Sequence, residues 1–350
     1  MDLDIAAILS IDGLANGSVY LLAGIGLVMV FCVTRVVFMP FGDIAAFAAL
    51  SMAALEAGRV PASVWLVMTL AVAAAACEGW HLYERGRLHA APRAVAAWLV
   101  LPAIPCLLAW LVAGKTGSPL LNVMTCLALM LPIAPLLARI ALQPIADASV
   151  LSLFMVSLAL HFLLSGLGLI FFGPEGSRTA PLVSGSFSIA GATVSAQAAL
   201  MIGTSLVLCI LFWLLFERTL TGKALRATSV NRVGSRLVGI RPARSSLVAY
   251  GGASLLAAAI GLLIAPVVTM YYDSGFVIGL KAFVAATIGG LVSYPLTAAG
   301  AVAVGLVESF SSFWTGTLKD VIVFSLLIPA LMIRSLFAVQ SDGDAEEADA

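Results

Sequence analysis

Uncharged apolar runs of about 20 residues recur along this chain, and each is long enough to cross roughly 30 Å of hydrocarbon as a helix. Clear examples are Leu14–Val33, Ala94–Ala113 and Ala196–Phe216. Hydrophobic residues make up 62% of the sequence and charged residues only 10%, whereas soluble domains carry about 25% charged residues. A soluble fold could not bury so much apolar surface, so the sequence predicts an all-α polytopic membrane protein.

Charged residues, prolines and glycine clusters divide the chain into about eleven apolar segments. Two of them, 42–57 and 277–292, are short, as is typical of broken or re-entrant helices that lie within protein or line a cavity. We therefore expect about 8–11 transmembrane segments in a single domain, 1–340. Residues 341–350 are small and acidic, which predicts a disordered tail.

The distribution of basic residues predicts the orientation, because Lys and Arg concentrate on the cytoplasmic side of membrane spans. Only acidic residues precede the first span, and Arg35 follows it. The largest basic loop, 218–245, alternates onto the same side as Arg35. This pattern predicts a multi-pass protein with its N-terminus outside and its C-terminus in the cytoplasm.

The loop 218–245 also has a helical pattern. Between Leu220 and Ser245 it holds six of the 18 basic residues and no acidic residue. A stripe of small or apolar residues recurs at helical spacing: Leu220, Ala224, Ala227, Gly234 and Leu237. Lys223, Arg226 and Arg236 flank this stripe. The pattern fits an amphipathic helix on anionic lipid, but the small residues favour a helix seated in a groove of a cytoplasmic protein.

Motifs for chemistry are sparse. Gly114-Lys115-Thr116 resembles the end of a phosphate-binding loop, but position 109 is Ala where that motif needs Gly. The three histidines lack metal-ligand spacing, and the five cysteines read as small buried hydrophobes. The chain is therefore expected to bind no cofactor, to carry no catalytic residue, and, with zero net charge, to bind no nucleic acid.

Charges at membrane depth are costly and mark functional sites or structural pairs. Lys281 and Glu308 lie near the ends of neighbouring segments, so a structural pair, snorkelling toward the membrane surface and direct substrate contact are all open. Asp43 opens a short segment, where it could cap the helix N-terminus.

Several stretches resemble the branched-chain amino acid ABC transporter permeases of the LivH type. The resemblance is carried by Thr221-Gly-Lys-Ala-Leu-Arg-Ala227 with Leu237-Val-Gly-Ile240, by Gly279–Ser293, and by Gly305-Leu-Val-Glu308 with Lys319–Phe324. Gly13-Leu-Ala-Asn-Gly-Ser-Val-Tyr20 is similar to the first span of that family.

The chain also departs from the family pattern. The family shows Asn-Phe-Ala-His-Gly-Glu/Asp after its first span, where this chain reads Met39-Pro-Phe-Gly-Asp43. Acidic residues of the family loop are replaced by Val230 and Asn231. Residues 80–138 look like an insertion that adds two spans.

The resemblance implies an ABC importer permease architecture in a bacterial inner membrane. A paralogous LivM-like permease or a second copy of this chain would complete the pathway. Two cytoplasmic ATPases, which bind ATP and Mg²⁺, would dock on the loop, and a periplasmic binding protein would deliver substrate. The candidate coupling residues are Gly222, Lys223, Ala224, Arg226, Ala227, Gly234 and Gly239. The candidate pathway or structural polar residues are Asn16, Ser18, Asp43, Lys281, Ser293 and Glu308.

Other functions stay open at this point. Related permeases are associated with urea, amides and other small polar solutes. A self-contained secondary transporter would bind no ATPase, and an intramembrane enzyme would need a catalytic cluster that the sequence does not show.

Overall fold

The computed structural model describes residues 3–84, 86, 91–114, 118–189 and 192–332. The predictions that concern Lys115 and the tail 341–350 fall outside these residues. The first helices are α1 Leu3–Thr34, α2 Phe41–Glu56, α3 Ser63–Glu84, α4 Ala91–Val112, α5 Pro119–Met130, α6 Ile133–Leu137 (continued by a π-helical turn, Ala138–Leu142) and α7 Val150–Phe172. A hairpin of β1 Ser186–Ile189 and β2 Ala192–Ser195 precedes α8. The remaining helices are α8 Ala196–Arg218, α9 Leu220–Val230, α10 Arg232–Leu237, α11 Pro242–Ile264, α12 Gly275–Ile288, α13 Tyr294–Trp314 and α14 Lys319–Ser325.

Eight helical segments of the described chain are long and apolar enough to cross a membrane. They are α1, α3, α4, the stretch Pro119–Leu142, α7, α8, α11 and α13. The helices α2 and α12 are shorter, with 16 and 14 residues, in agreement with the two short segments expected from the sequence. The fold is therefore that of an all-α polytopic membrane protein, to which the described residues add one small hairpin.

The core forms around α1 and α11. In the most apolar stretch of α1, 78% of residues are buried, compared with 17% in α8. The mean hydropathies of α1 and α8 differ little. The two helices are therefore distinguished by how much of each is buried, which makes α1 a central helix and α8 a peripheral one. The outer helices α4 and α8 expose leucine, valine and tryptophan side chains, which suits contact with lipid or with another membrane subunit.

Glycines allow α1 and α13 to pack with their backbones in contact. A Cβ atom on Gly305 would lie 2.3 Å from the backbone nitrogen of Gly17 and 2.4 Å from the carbonyl oxygen of Gly13. No side chain fits in that space. Small residues spaced four apart are a common means of close helix approach in membranes, where dispersion contacts replace the hydrophobic effect.

The short helices α2 and α12 meet at their N-termini in the interior. A Cβ atom on Gly42 would lie 1.9 Å from the carbonyl oxygen of Gly275, so only glycine fits.

The helices also show an internal symmetry. We use the name α9 end for the end of the bundle where α8 finishes and α9 begins, and the name opposite end for the other end. α1 runs toward the α9 end and α11 runs away from it, so α1–α2–α3 and α11–α12–α13 repeat a long–short–long order in opposite directions. This is the arrangement of an inverted repeat.

Candidate functional site

The loop between α8 and α11 forms two short helices at the α9 end. The side chain of Thr219 caps α9 by accepting a hydrogen bond from the backbone N–H of Gly222 at 3.0 Å. Asn231 ends α9 and caps α10, since its side-chain oxygen accepts from the N–H groups of Val233 and Gly234 at 3.0 and 2.8 Å. Both caps satisfy donors that a helix start leaves unpaired, so the loop has a defined shape.

The structure separates the predicted coupling residues by exposure. Lys223, Arg226 and Gly239 are exposed, and Ala224, Ala227 and Gly234 are half-buried. Gly222 is buried, and a Cβ atom there would lie 2.3 Å from the carbonyl oxygen of Leu215 on α8. The small size of Gly222 is therefore required by packing against α8.

The stripe expected from the sequence thus lies partly against the chain itself. Between its members, Leu225 and Thr228 are buried, and the Thr228 hydroxyl donates to the Ala224 carbonyl. The solvent-facing side of the loop is instead made of exposed apolar residues and cations. The exposed apolar residues are Leu220, Val230, Val233, Leu237 and Val238.

Two arginines of the loop attach it to the end of α8 and to the turn 143–149. Arg226 forms an ion pair with Glu217 at the end of α8. The hydrogen bond and charge of Glu217 raise the pKa of the exposed Arg226 guanidinium, so its positive charge is retained. Arg232 donates from Nη1 to the carbonyl oxygen of Ala146 at 3.1 Å. A cleft of about 470 Å³ lies between this loop, the end of α1 and the start of α7.

Lys281 and Glu308 form the structural pair that the sequence left open. Lys281 donates from Nζ to Oε1 of Glu308 at 2.5 Å, and Tyr20 donates its hydroxyl to Oε2 at 2.5 Å. Lys281 Nζ also lies 2.8 Å from Oδ1 of Asp320. Because Lys281 and Tyr20 both bind the Glu308 carboxylate, that charge can be held away from water, whereas Asp320 is partly exposed.

Asp43 lies in the first turn of α2, where a negative charge suits the helix N-terminus, and its carboxylate pairs with His161. The α2 N-terminus has no side-chain cap. Both Asp43 carboxylate oxygens lie 2.8–2.9 Å from Nδ1 of His161, and both residues are buried. The His161 ring stacks on Phe276 of α12, with 4.7 Å between ring centroids. His161 is the central residue of α7, so the pair lies midway along that span, beside the junction of α2 and α12.

The other polar residues singled out from the sequence do not all converge. Asn16 and Glu308 line one polar cavity of about 270 Å³ near the opposite end. Ser18 is buried and donates to the Ala15 carbonyl at 2.7 Å. Ser293 precedes α13 at the α9 end, and Glu308 lies 15 residues further along, about 22 Å away at 1.5 Å per residue.

Sequence reasoning missed Tyr20, Asp320 and the role of His161. Tyr20 was visible only as a polar group inside an apolar run, a placement in which a hydroxyl usually finds a partner. Its partner Glu308 lies 288 residues away, which no local pattern can identify. Among the described residues, no group of three or more histidine, cysteine or acidic side chains could hold a metal ion.

A bundle of this kind, with short helices meeting in its interior and a polar loop helix at one end, defines a multi-pass membrane permease. Residues 86–336 match the family described as the branched-chain amino acid transport system / permease component. The chain belongs to this family. The resemblance stated from the sequence is thereby confirmed, and members of this family are transport subunits. The match includes most of 80–138, so the proposed insertion stays a prediction.

Curated relatives give the same picture. The chain is 31% identical over 173 residues to "High-affinity branched-chain amino acid transport system permease protein LivH" of Salmonella typhimurium, covering 45% of this chain and 55% of that protein. The same values apply to LivH of Escherichia coli K12. The permease protein BraD of Pseudomonas aeruginosa is 31% identical over 154 residues, covering 43% and 50%. The chain spans about half the length of the curated relatives it matches. No solved structure matches.

Proposed function

We propose that this chain is the transmembrane subunit of an ATP-binding-cassette importer in a bacterial inner membrane. Its substrates are branched-chain or similar small amino acids, and separate cytoplasmic ATPases drive transport. Family membership supports the transport class, and the relatives' names support the substrate class. Urea, amides or other small polar solutes are the alternative substrates.

The observation that carries the proposal is the outer face of α9 and α10. Leu220 and Leu237 expose 85% and 84% of their surface, beside the exposed cations Lys223 and Arg226. The two capped helices present apolar side chains surrounded by basic residues. Such a surface fits an apolar groove with acidic edges on another protein. The attachment of this loop to α8 and to the 143–149 turn gives a bound partner a direct connection to the spanning helices.

The remaining subunits follow from this proposal. Two ATPases bind ATP and Mg²⁺ and dock on the loops of two permeases, one of them this chain and the other a LivM-like paralogue or a second copy. A periplasmic binding protein delivers substrate to the opposite end, which faces outside. The spanning helices then alternate between outward and inward openings as the ATPases close and reopen.

The test replaces the outer face of the loop without touching its packing. In the complex purified with its genetically linked ATPases, Leu237→Glu together with Lys223→Glu should abolish ATPase co-purification and ATP-driven leucine uptake. Both side chains are exposed, so the permease itself should still fold. Fluorescence-detected size exclusion of the permease measures folding, and affinity pull-down measures ATPase binding.

Val60→Glu is the matched control, because Val60 is an exposed apolar residue at the opposite end. It should leave ATPase binding unchanged. If the loop variant binds its ATPases and transports normally, the docking role fails. If it loses only binding to anionic vesicles, the loop is instead a lipid-surface helix.

A secondary transporter is the second candidate, and the buried Asp43–His161 pair is the observation that favours it. A titratable pair midway through a span is typical of proton relays. The two functions separate in one uptake experiment. Transport that stops on ATP depletion but survives collapse of the proton gradient supports the importer, whereas the reverse supports the secondary transporter.

A further inference from the structure

A polar cavity of about 270 Å³ opens near the opposite end of the bundle. The early turns of α1, the start of α8, the later turns of α13 and the beginning of α14 enclose it. Asp12 is exposed, so the cavity can be reached from outside the chain. Its volume lies just below the range of about 300–1,000 Å³ typical of sites for drug-sized ligands. It therefore suits a smaller molecule.

Opposite charges line two walls of this cavity. Asp12 and Asn16 lie four residues apart on one face of α1, and Lys319 opens α14. Among the residues that the structure describes, Asp12 and Lys319 form no ion pair with each other or with other side chains. An unpaired anion and an unpaired cation on separate walls form a complementary site for one molecule that carries both charges.

The inner wall supplies a fixed, satisfied carboxylate. Glu308 lines the cavity while its oxygens bind Lys281 and Tyr20. These bonds hold Glu308 in place, and Lys281 offsets part of the negative charge that Glu308 and Asp320 carry together. Of the described residues that line the cavity, Asp12 and Lys319 are the charged ones without an ion-pair partner.

The rest of the lining combines apolar side chains with three serine hydroxyls, Ser195, Ser309 and Ser312. Leu9, Ala15 and Met201 contribute aliphatic surface from α1 and α8. An aliphatic side chain gains free energy from burial there in proportion to the area removed from water.

We propose that this cavity binds the zwitterion of a free amino acid with a small aliphatic side chain. Asp12 and Asn16 accept hydrogen bonds from the α-ammonium group, Lys319 donates to the α-carboxylate, and the side chain packs on Leu9 and Met201. This inference rests on the proposed function and extends it, since it assigns the permease its own amino acid site near the opposite end.

The test is equilibrium binding of tritiated leucine to the purified full chain in lipid nanodiscs, titrated into the millimolar range. Asp12→Asn and Lys319→Gln should each weaken binding by about tenfold, the effect of one charge-assisted hydrogen bond. The combined charge exchange, Asp12→Lys with Lys319→Asp, should recover part of the loss because a zwitterion can bind in the reverse direction.

Two leucine analogues assign each charge. Leucine methyl ester keeps the ammonium group and lacks the carboxylate, so Asp12→Asn should weaken its competition and Lys319→Gln should not. 4-Methylpentanoate lacks the ammonium group and should show the opposite pattern. Asp4→Asn and Arg59→Gln are the matched controls, since both residues are exposed and lie outside the cavity. Both controls should bind leucine as the unaltered chain does.

Failure of the site and failure of the proposed function give different results. If the unaltered chain binds no leucine, or if both cavity variants bind it normally, the site proposal is wrong even where ATP-driven uptake is intact. If leucine binds with the expected pattern but the assembled complex shows no ATP-driven uptake, the site stands and the importer function is wrong.

Discussion

At the scale of single residues, each buried carboxylate among the described residues pairs with a side chain of another helix. Asp43 of α2 faces His161 of α7, and Glu308 of α13 faces Lys281 of α12. A buried charge without a partner costs far more than the pair contributes to stability. Removing one partner should therefore be more harmful than removing both.

The Asp43–His161 pair gives the first prediction. His161→Ala leaves Asp43 buried without a partner and should cost about 3–5 kcal/mol of stability. The double variant Asp43→Leu with His161→Leu should cost less, because no uncompensated charge remains. Thermal unfolding of the purified chain in detergent measures both, and a double variant less stable than His161→Ala would contradict the argument.

The Lys281 network predicts an order of effects. Lys281 is shared by Glu308 and Asp320, so Lys281→Met leaves two carboxylates without their cation and should cost about 3–5 kcal/mol. Glu308→Gln leaves the Lys281–Asp320 pair in place and an amide oxygen that can accept from Tyr20, so about 1–2 kcal/mol should be lost. The same unfolding assay ranks the two, and equal losses would mean that Asp320 does not share Lys281.

At the scale of elements, the lengths of the uncharged apolar runs in the sequence predicted the long helices well. The uncharged run Ala196–Phe216 corresponds to α8 within two residues. The start of α1 was wrong, because Asp4 and Asp12 were treated as a break before residue 14. The helix instead begins at Leu3, since an exposed carboxylate interrupts an apolar run but not a helix.

The packing of α1 on α13 depends on backbone contact. Gly305→Ala places a methyl group where only 2.3 Å separates it from the Gly17 nitrogen, so the helices must separate. We expect a loss of at least about 1–3 kcal/mol, the usual cost of overpacking. Thermal stability and the yield of monodisperse protein measure the effect.

Ala303→Leu is the control for that substitution. Ala303 lies two residues earlier on the exposed side of α13, so a larger side chain there should be tolerated. If both variants are equally stable, the close contact between the two helices is not required for folding.

At the scale of the whole molecule, the sequence predicted the class of fold but not its internal symmetry. The order of long and short helices could be read from apolar lengths. The meeting of α2 and α12 could not, because Gly42 and Gly275 are more than 200 residues apart. Nor could the cavity near Asp12 and Lys319 be predicted, since it forms only when four separate elements pack together.

The orientation is a prediction for the whole molecule. With the N-terminus outside and the α9 end in the cytoplasm, D4C should react with a membrane-impermeant thiol reagent in intact spheroplasts. R236C should react only after the membrane is opened. Both sites are exposed, so access to the reagent and not burial decides the result. The native chain carries five cysteines, so the unaltered protein is labelled in parallel as background, and the reverse labelling pattern would invert the topology.

The contact between Gly42 and Gly275 has a mechanical consequence. Since no side chain separates the two backbones, α2 cannot advance along its axis without displacing α12, and the reverse is equally true. The connection 35–40 joins α2 to the α9 end, and 265–274 joins α12 to the opposite end. We therefore expect a displacement of either connection to move both helices at this contact.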